Sequence, residues 1–248
     1  MTKYLALALG LLAAPVGAFD LSAMTDDERA AFRAEIRAYL LDNPEVIMEA
    51  VGVLERREQQ AKAEGDVNLA RTYAEQLTND GHSYQGGNLE GDITIVEFLD
   101  YRCGYCKKAF PEVERLVNTD GNIRLIVKEF PILGEESETA SRFAIAVKQV
   151  EGDEAYKSVH DTLMEYRGAY SDAALGRLSD SFGFDTAKVL AEMNSDVVSG
   201  IINDNRLLGQ AMQISGTPTF VVQDQMLRGY VPFDQMTQIV SAIRQNDG

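Results

Sequence analysis

Cys103 and Cys106 are the only thiols in the chain, and two residues separate them. Thiols exchange with disulfides only as thiolates, so a working pair needs surroundings that lower one pKa. The run Arg102-Cys103-Gly104-Tyr105-Cys106 leads from a predicted strand straight into a predicted helix. A helix N-terminus favours an anion through its unpaired N–H groups and its dipole, and can bring a cysteine from about 8.5 into the range of roughly 3.5–7.5. The spacing puts Cys106 one turn later, in reach of a mixed disulfide on Cys103. Cys103 reads as the nucleophile and Cys106 as the resolving thiol.

Other uses of the pair are weaker. Zinc needs four ligands, and the remaining candidates, His82 and His160, lie far off in sequence and read as solvated or helix-surface residues. A structural bridge here would close almost no loop and stabilise little. Copper(I) on two thiolates is chemically reasonable and stays open. Neither a cofactor nor a resident metal is expected.

The elements around the pair follow from its flanks. Ile93 to Leu99 is an apolar, β-rich strand. A helix from Lys107 to Val117 follows, then a second buried strand from Ile123 to Phe130. Strand, helix and strand in this order make a right-handed βαβ unit. Residues 135–214 read as helical, with one helix through Ala144, Ile145 and Val147 and another through Tyr156, Val159 and Leu163. A third lies near Leu175 to Leu178, and a longer one is marked by Val197, Ile201, Ile202 and Leu208. Thr219 to Val222 and Met226 to Arg228 form a hairpin across Gln223-Asp224-Gln225. Met236, Ile239, Val240 and Ile243 define a last amphipathic helix.

Upstream, residues 1–18 read as a signal peptide: Lys3, a short apolar run, then small residues ending at Ala18. Residues 19–80 read as a helical segment, with a capping box at Thr25 and Glu28 and Pro44 opening a second helix. Ile47, Val51, Leu54, Leu69, Tyr73 and Leu77 make a thin apolar stripe, suited to a helix that meets a partner; a helix docked on its own domain, or a frayed arm, stays open. Gly65 argues against one unbroken helix. Residues 80–91 read as a linker with a short strand near Tyr84. A formal net charge of −16 disfavours nucleic acid and anionic lipid as partners.

Glu97 to Lys107, with Gly216-Thr217-Pro218-Thr219 about 110 residues on, resembles the DsbA-like branch of the thioredoxin superfamily. Residues 26–60 resemble the N-terminal helical segment of the copper-sensitivity suppressor protein C group. The resemblance implies an α/β thioredoxin fold over 81–248, with a helical insertion at about 135–214 and an N-terminal helical extension. It implies a cis Pro218 facing the sulfurs and leaving the Thr217 backbone free to pair with an extended substrate. It also implies that Glu97 is a buried acid under Cys106. A lone carboxylate in an apolar strand is costly unless used or hydrated, and there it could shuttle a proton. Lys128 is a candidate partner for it. The Gly-Tyr dipeptide replaces the Pro-His of the strongly oxidising members, and with Thr217 it is similar to the bacterial disulfide isomerases.

The expectation is therefore an exported, periplasmic thiol–disulfide oxidoreductase acting on exported proteins, isomerase or reductase ahead of oxidase. A membrane protein would be its redox partner, and the residue 19–80 segment would form a homo-oligomer. The alternatives are a DsbA-type oxidase and a copper-binding or copper-resistance protein using the same thiolates.

Overall fold

A computed structural model describes residues 23–246; the expected signal peptide lies outside the described residues. The chain divides into two compact units, 1–58 and 59–248. The first holds helix α1 (Asp26–Asp42) and the start of α2 (Glu45–Thr72). Thr25 and Glu28 form the expected capping box, with Glu28 N–H donating to Thr25 Oγ1 and Thr25 N–H to Glu28 Oε2. No residue of α1 is buried, and Phe32, Ile36, Tyr39, Ile47, Val51 and Leu54 are all exposed.

In the second unit α2 continues without a break through Gly65. The expected interruption is absent: one glycine costs only about 1 kcal/mol relative to alanine. The stretch around it is docked. Arg228 holds Asp66 at 2.7 Å, Arg71 holds Asp224 at 2.7 Å, and Ala70 is buried. After α3 (Ala74–Thr78) comes a mixed sheet of β1 (Tyr84–Gly87), β2 (Ile93–Leu99), β3 (Ile123–Glu129), β4 (Thr219–Val222) and β5 (Gln225–Arg228) in the order β1-β3-β2-β4-β5. Only β2 and β3 run parallel, joined by α4 (Gly104–Asp120). The helical insertion holds α5 (Glu135–Glu151), α6 (Asp153–Glu165), α7 (Asp172–Phe182), α8 (Thr186–Glu192) and α9 (Asp196–Ala211). Helix α10 (Phe233–Asn246) closes the described chain. The short α8 was not anticipated, since its seven residues are too few to show a period.

Alternation along the strands sorts the core. Ile93, Ile95 and Leu99 of β2 pack in one cluster with Cys106, Ala109 and Val113 of α4. Val96 and Phe98 pack on the opposite face with Ala70 and Leu77. The hairpin turn is tighter than expected. Val222 pairs with Gln225, so only Gln223 and Asp224 lie in it. Gln223 takes φ 55°, held where its Oε1 accepts from Thr94 N–H at 3.1 Å and its own N–H donates to Thr94 O at 2.9 Å.

Candidate active site

Strand β2 ends at Leu99, and the turn Asp100–Arg102 delivers Cys103 to the N-cap of α4. Asp100 holds that turn. It is fully buried, and its carboxylate accepts Arg102 N–H at 2.7 Å, Ile132 N–H at 2.8 Å and Leu133 N–H at 3.0 Å. Cys103 N–H donates to Asp100 O at 3.0 Å. Cys103 Sγ accepts Cys106 N–H at 3.4 Å, and the thiol reaches Thr217 O at 3.1 Å.

Thr217 arrives there because β4 pairs antiparallel with β2, placing Thr219 opposite Phe98. The Thr217–Pro218 peptide is cis. Thr219 Oγ1 donates to Gly216 O at 2.8 Å, tightening the loop. Thr217, Pro218, Cys103 and Cys106 thus converge. The cysteines are unbridged thiols, Cys103 7% exposed and Cys106 fully buried, while Tyr105 between them is exposed.

The electrostatics separate the two thiols. Cys103 is held at about 5, below its ordinary 9.0, first by a hydrogen bond from the Cys106 side chain, against the opposing effect of burial. The Thr217 side chain and the N–H groups of Cys106 and Tyr105 add to the lowering. Cys106 is driven far upward by burial, then by its bond to Cys103 and the charge of Glu97. At neutral pH the pair is a thiolate over a thiol.

Glu97 shares the α4 face of β2. It is 3% exposed, and its Oε1 finds no hydrogen-bond partner. Burial, then the charges of Glu114, Cys103 and Glu129, push its carboxyl up to about 8. Lys128 is not its partner. In the parallel register Lys128 stands level with Phe98, so its side chain goes to the other face. There it is fully buried, donating to Gln76 O at 2.7 Å and to Asp80.

Both histidines also depart from expectation. His160 is 3% exposed on α6, and burial holds its pKa down at about 3. His82 is partly buried beside Asp80, with Nδ1 at 3.3 Å from the carboxylate. Sequence reasoning also missed Asp100 and a second buried acid, Glu129, which accepts Tyr101, Tyr156 and Ser141 hydroxyls. The signal was available. Glu129 is a carboxylate near the end of an apolar strand, as Glu97 is, and the same cost of burial applies.

Residues 94–241 match the DSBA-like thioredoxin domain. The chain belongs to that family. Residues 28–61 match the copper resistance protein ScsC N-terminal domain. Among solved structures, a thioredoxin-like oxidoreductase from Silicibacter pomeroyi DSS-3 is 37% identical, with a TM-score of 0.65 over 69% of this chain and 97% of that one. Proteus mirabilis ScsC in a transitional conformation is 27% identical, with a TM-score of 0.64 over 90% of this chain and 98% of that one. Disulfide bond formation protein D of Bacillus subtilis is 24% identical over 62% of this chain and 73% of that protein. The first curated relatives matched are far longer. Against the Na(+)/H(+) antiporter NhaA 1 of Salinispora arenicola the match is 24% identical, over 63% of this chain and 24% of that protein. Membership in the DSBA-like family implies thiol–disulfide oxidoreductase chemistry for the site just described.

Proposed function

We propose that this protein exchanges disulfides with exported protein substrates, with Cys103 as nucleophile and Cys106 as resolving thiol. The observation that carries the reading is Cys103 Sγ at the α4 N-cap, within 3.1 Å of the Thr217 carbonyl and bonded by Cys106 N–H. The Cys103 thiolate attacks one sulfur of a substrate disulfide and expels the other as a thiolate, which takes a proton from water. Cys106 then loses its proton and attacks Cys103 Sγ, releasing the second substrate thiolate and leaving the Cys103–Cys106 disulfide. In the reverse direction Cys106 departs as a thiolate and needs a proton. Glu97, mostly a carboxylic acid at neutral pH, donates it and is reprotonated from water; in the forward direction its ionised fraction takes the Cys106 proton and passes it to water. The Thr217 backbone beside Pro218 pairs with an extended substrate segment.

In this reading the enzyme works as an isomerase or reductase in the periplasm. A Cys103 pKa of about 5 falls between the values of roughly 7 and 3.5 that mark reducing and strongly oxidising C-x-x-C proteins. The exposed apolar residues of α1 and the start of α2 meet those of further copies of this chain. A membrane protein keeps Cys103 and Cys106 reduced. Reactivation of a scrambled disulfide protein is the test. Wild type reactivates it and Cys103→Ser does not. Cys106→Ser accumulates mixed disulfides on Cys103. A resting Cys103–Cys106 disulfide in the native compartment sinks the isomerase direction and leaves the oxidase one.

The match of residues 28–61 to a copper resistance protein domain supports a second reading, copper(I) held between the two thiolates. Among the described residues no cluster of three or more His, Cys, Asp or Glu side chains stands ready for a metal. Full reactivation of scrambled substrate in the presence of a copper(I) chelator separates the readings in favour of exchange.

A further inference from the structure

Glu129, the second buried acid, stands level with Leu99 and is 3% exposed. Its Oε1 accepts the Tyr101 hydroxyl at 2.7 Å and the Tyr156 hydroxyl at 2.6 Å, and Oε2 accepts Ser141 Oγ at 2.7 Å. Tyr101 and Ser141 are fully buried, and Tyr156 is 1% exposed. The donor directions are set by chemistry. Burial pushes the Glu129 carboxyl up to about 7, and the three hydroxyl groups converging on it oppose that rise by favouring its ionised form. Tyr101 gives its hydrogen to Glu129, so the His160 Nδ1 that lies 3.0 Å from its oxygen must carry the hydrogen there. His160, neutral in its buried site, can supply it.

The donors come from separate parts of the fold. Ser141 lies on α5 and Tyr156 on α6, both in the helical insertion. Tyr101 lies in the β2–α4 turn, two residues before Cys103. The Tyr101 carbonyl is held as well, by the Tyr170 hydroxyl at 3.1 Å. A buried acid that only filled space would be a poor choice, because an apolar side chain of similar volume is often as stable or more so.

We propose that Glu129 is a positioning residue for disulfide exchange: it ties Tyr101 to α5 and α6 and so fixes the turn that sets Cys103 Sγ against the Cys106 N–H and the Thr217 carbonyl. The inference rests on the exchange reading above. The Cys106 N–H donates to Cys103 Sγ at 3.4 Å, and a slip of the turn would lengthen and weaken that contact. That contact and the hydrogen bond from the Thr217 side chain are among those that hold Cys103 down. Glu129 acts on the site in a second way, since its charge helps keep Glu97 protonated.

The experiment uses the reduced full-length protein as wild type, Tyr101→Phe, Glu129→Gln and the double variant. The Cys103 thiolate is titrated by its ultraviolet absorbance, the equilibrium constant with glutathione is measured, and thermal unfolding is recorded. Each single variant should raise the Cys103 pKa and shift the glutathione constant by about three- to tenfold, the scale of one buried hydrogen bond. The double variant should shift it no further than Glu129→Gln alone, because the two side chains act through one bond. Either single variant decides the matter if the other fails to fold. Lowered melting temperatures, with the Cys103 titration and the glutathione constant within about twofold of wild type, overturn the proposal and leave the exchange reading standing. A wild type that titrates as an ordinary thiol, or does not equilibrate with glutathione, overturns both.

Discussion

The difference between the two thiols can be worked into a rate. Cys103 is held at about 5 where an ordinary thiol stands at 9.0. At pH 7 it is almost wholly ionised against about 1% for the ordinary thiol, a roughly hundredfold advantage in thiolate. Nucleophilicity falls with pKa at a Brønsted slope of about 0.4–0.5, so four units cost about 40–100-fold. The two effects nearly cancel at pH 7, and an assay there would miss the perturbation. At pH 5 the ordinary thiol is only about 0.01% ionised while Cys103 is half ionised, so Cys103 should react about 50–125-fold faster. Cys106 does not compete, being fully buried and shifted upward. The assay is stopped-flow reaction of the reduced protein with a small aromatic disulfide from pH 3.5 to 8, beside a reference thiol of ordinary pKa. Cys106→Ala, which removes the first cause of the lowering, should raise the midpoint by about one to two units, the scale of a hydrogen bond to a charged group. A midpoint near 8–9, or equal rates for Cys103 and the reference at pH 5, refutes the assignment of Cys103 as a stabilised thiolate.

Glu97→Gln should slow the Cys106 step of exchange and also stabilise the protein. Glu97 is raised from 4.5 to about 8, so its contribution is complete below pH 4.5 and is lost as pH rises to 8. Urea midpoints should therefore favour the variant by several kcal/mol at pH 8 and by little at pH 4; equal pH dependence of the two proteins contradicts a buried neutral acid. Asp80 is lowered from 3.8 to about 2, with Lys128 as its principal partner, so its contribution is present above pH 4 and disappears as pH falls through 2. Asp80→Ala leaves Lys128 buried without its anion and should cost about 3–5 kcal/mol in urea unfolding, a figure that an unchanged midpoint would rule out. Deleting residues 19–58 should give a monomer by light scattering that keeps dithiol exchange but loses reactivation of scrambled substrates; a monomeric full-length protein removes the oligomer from the argument. The cut belongs at 58 rather than 80, because Ala70 and Leu77 are core residues and Asp80 is the partner of Lys128.

Residue order revealed the site where chemistry and local structure coincide. The C-x-x-C at a strand–helix junction marks a thiolate site, and the apolar alternation of Ile93 to Leu99 marks a strand whose side chains divide between two faces. The pairing of Glu97 with Lys128 failed because it needed the register of β3 on β2, which depends on contacts 30 residues apart and on a one-residue phase. His160 looked like a surface residue because α6 carries polar residues around it. Its burial comes from packing against Tyr101, Phe110 and Tyr156, none of them within one helical turn except Tyr156. The stripe through Leu77 fits both a partner-facing helix and a helix docked on its own domain, and spacing alone does not say where one gives way to the other. Leu77 in fact fills the sheet face opposite α4, a face that sequence periodicity alone gives no means of locating.

The register also explains why two acids can sit near one pair of cysteines. Glu97 and Glu129 occupy the phase of their strands that faces α4, while Lys128, one residue away from Glu129, occupies the other phase. An ammonium beside Glu97 would hold it ionised, as Lys128 helps to hold Asp80 at about 2. An ionised Glu97 would have no proton for a departing Cys106 at neutral pH, and its full charge would raise the cost of each thiolate nearby. Segregating the ammonium on the far face keeps Glu97 a carboxylic acid. A slip of one residue between β2 and β3 would exchange the two environments, leaving the cysteines above an ion pair instead of a proton donor. On this argument, the most informative second-site change is Val127→Lys. Val127 stands level with Glu97 on the same face, so the variant should return the acid to the ordinary carboxylate range and slow the Cys106 step at pH 7. An unchanged Cys106 step in a folded Val127→Lys protein would show that Glu97 takes no part in it.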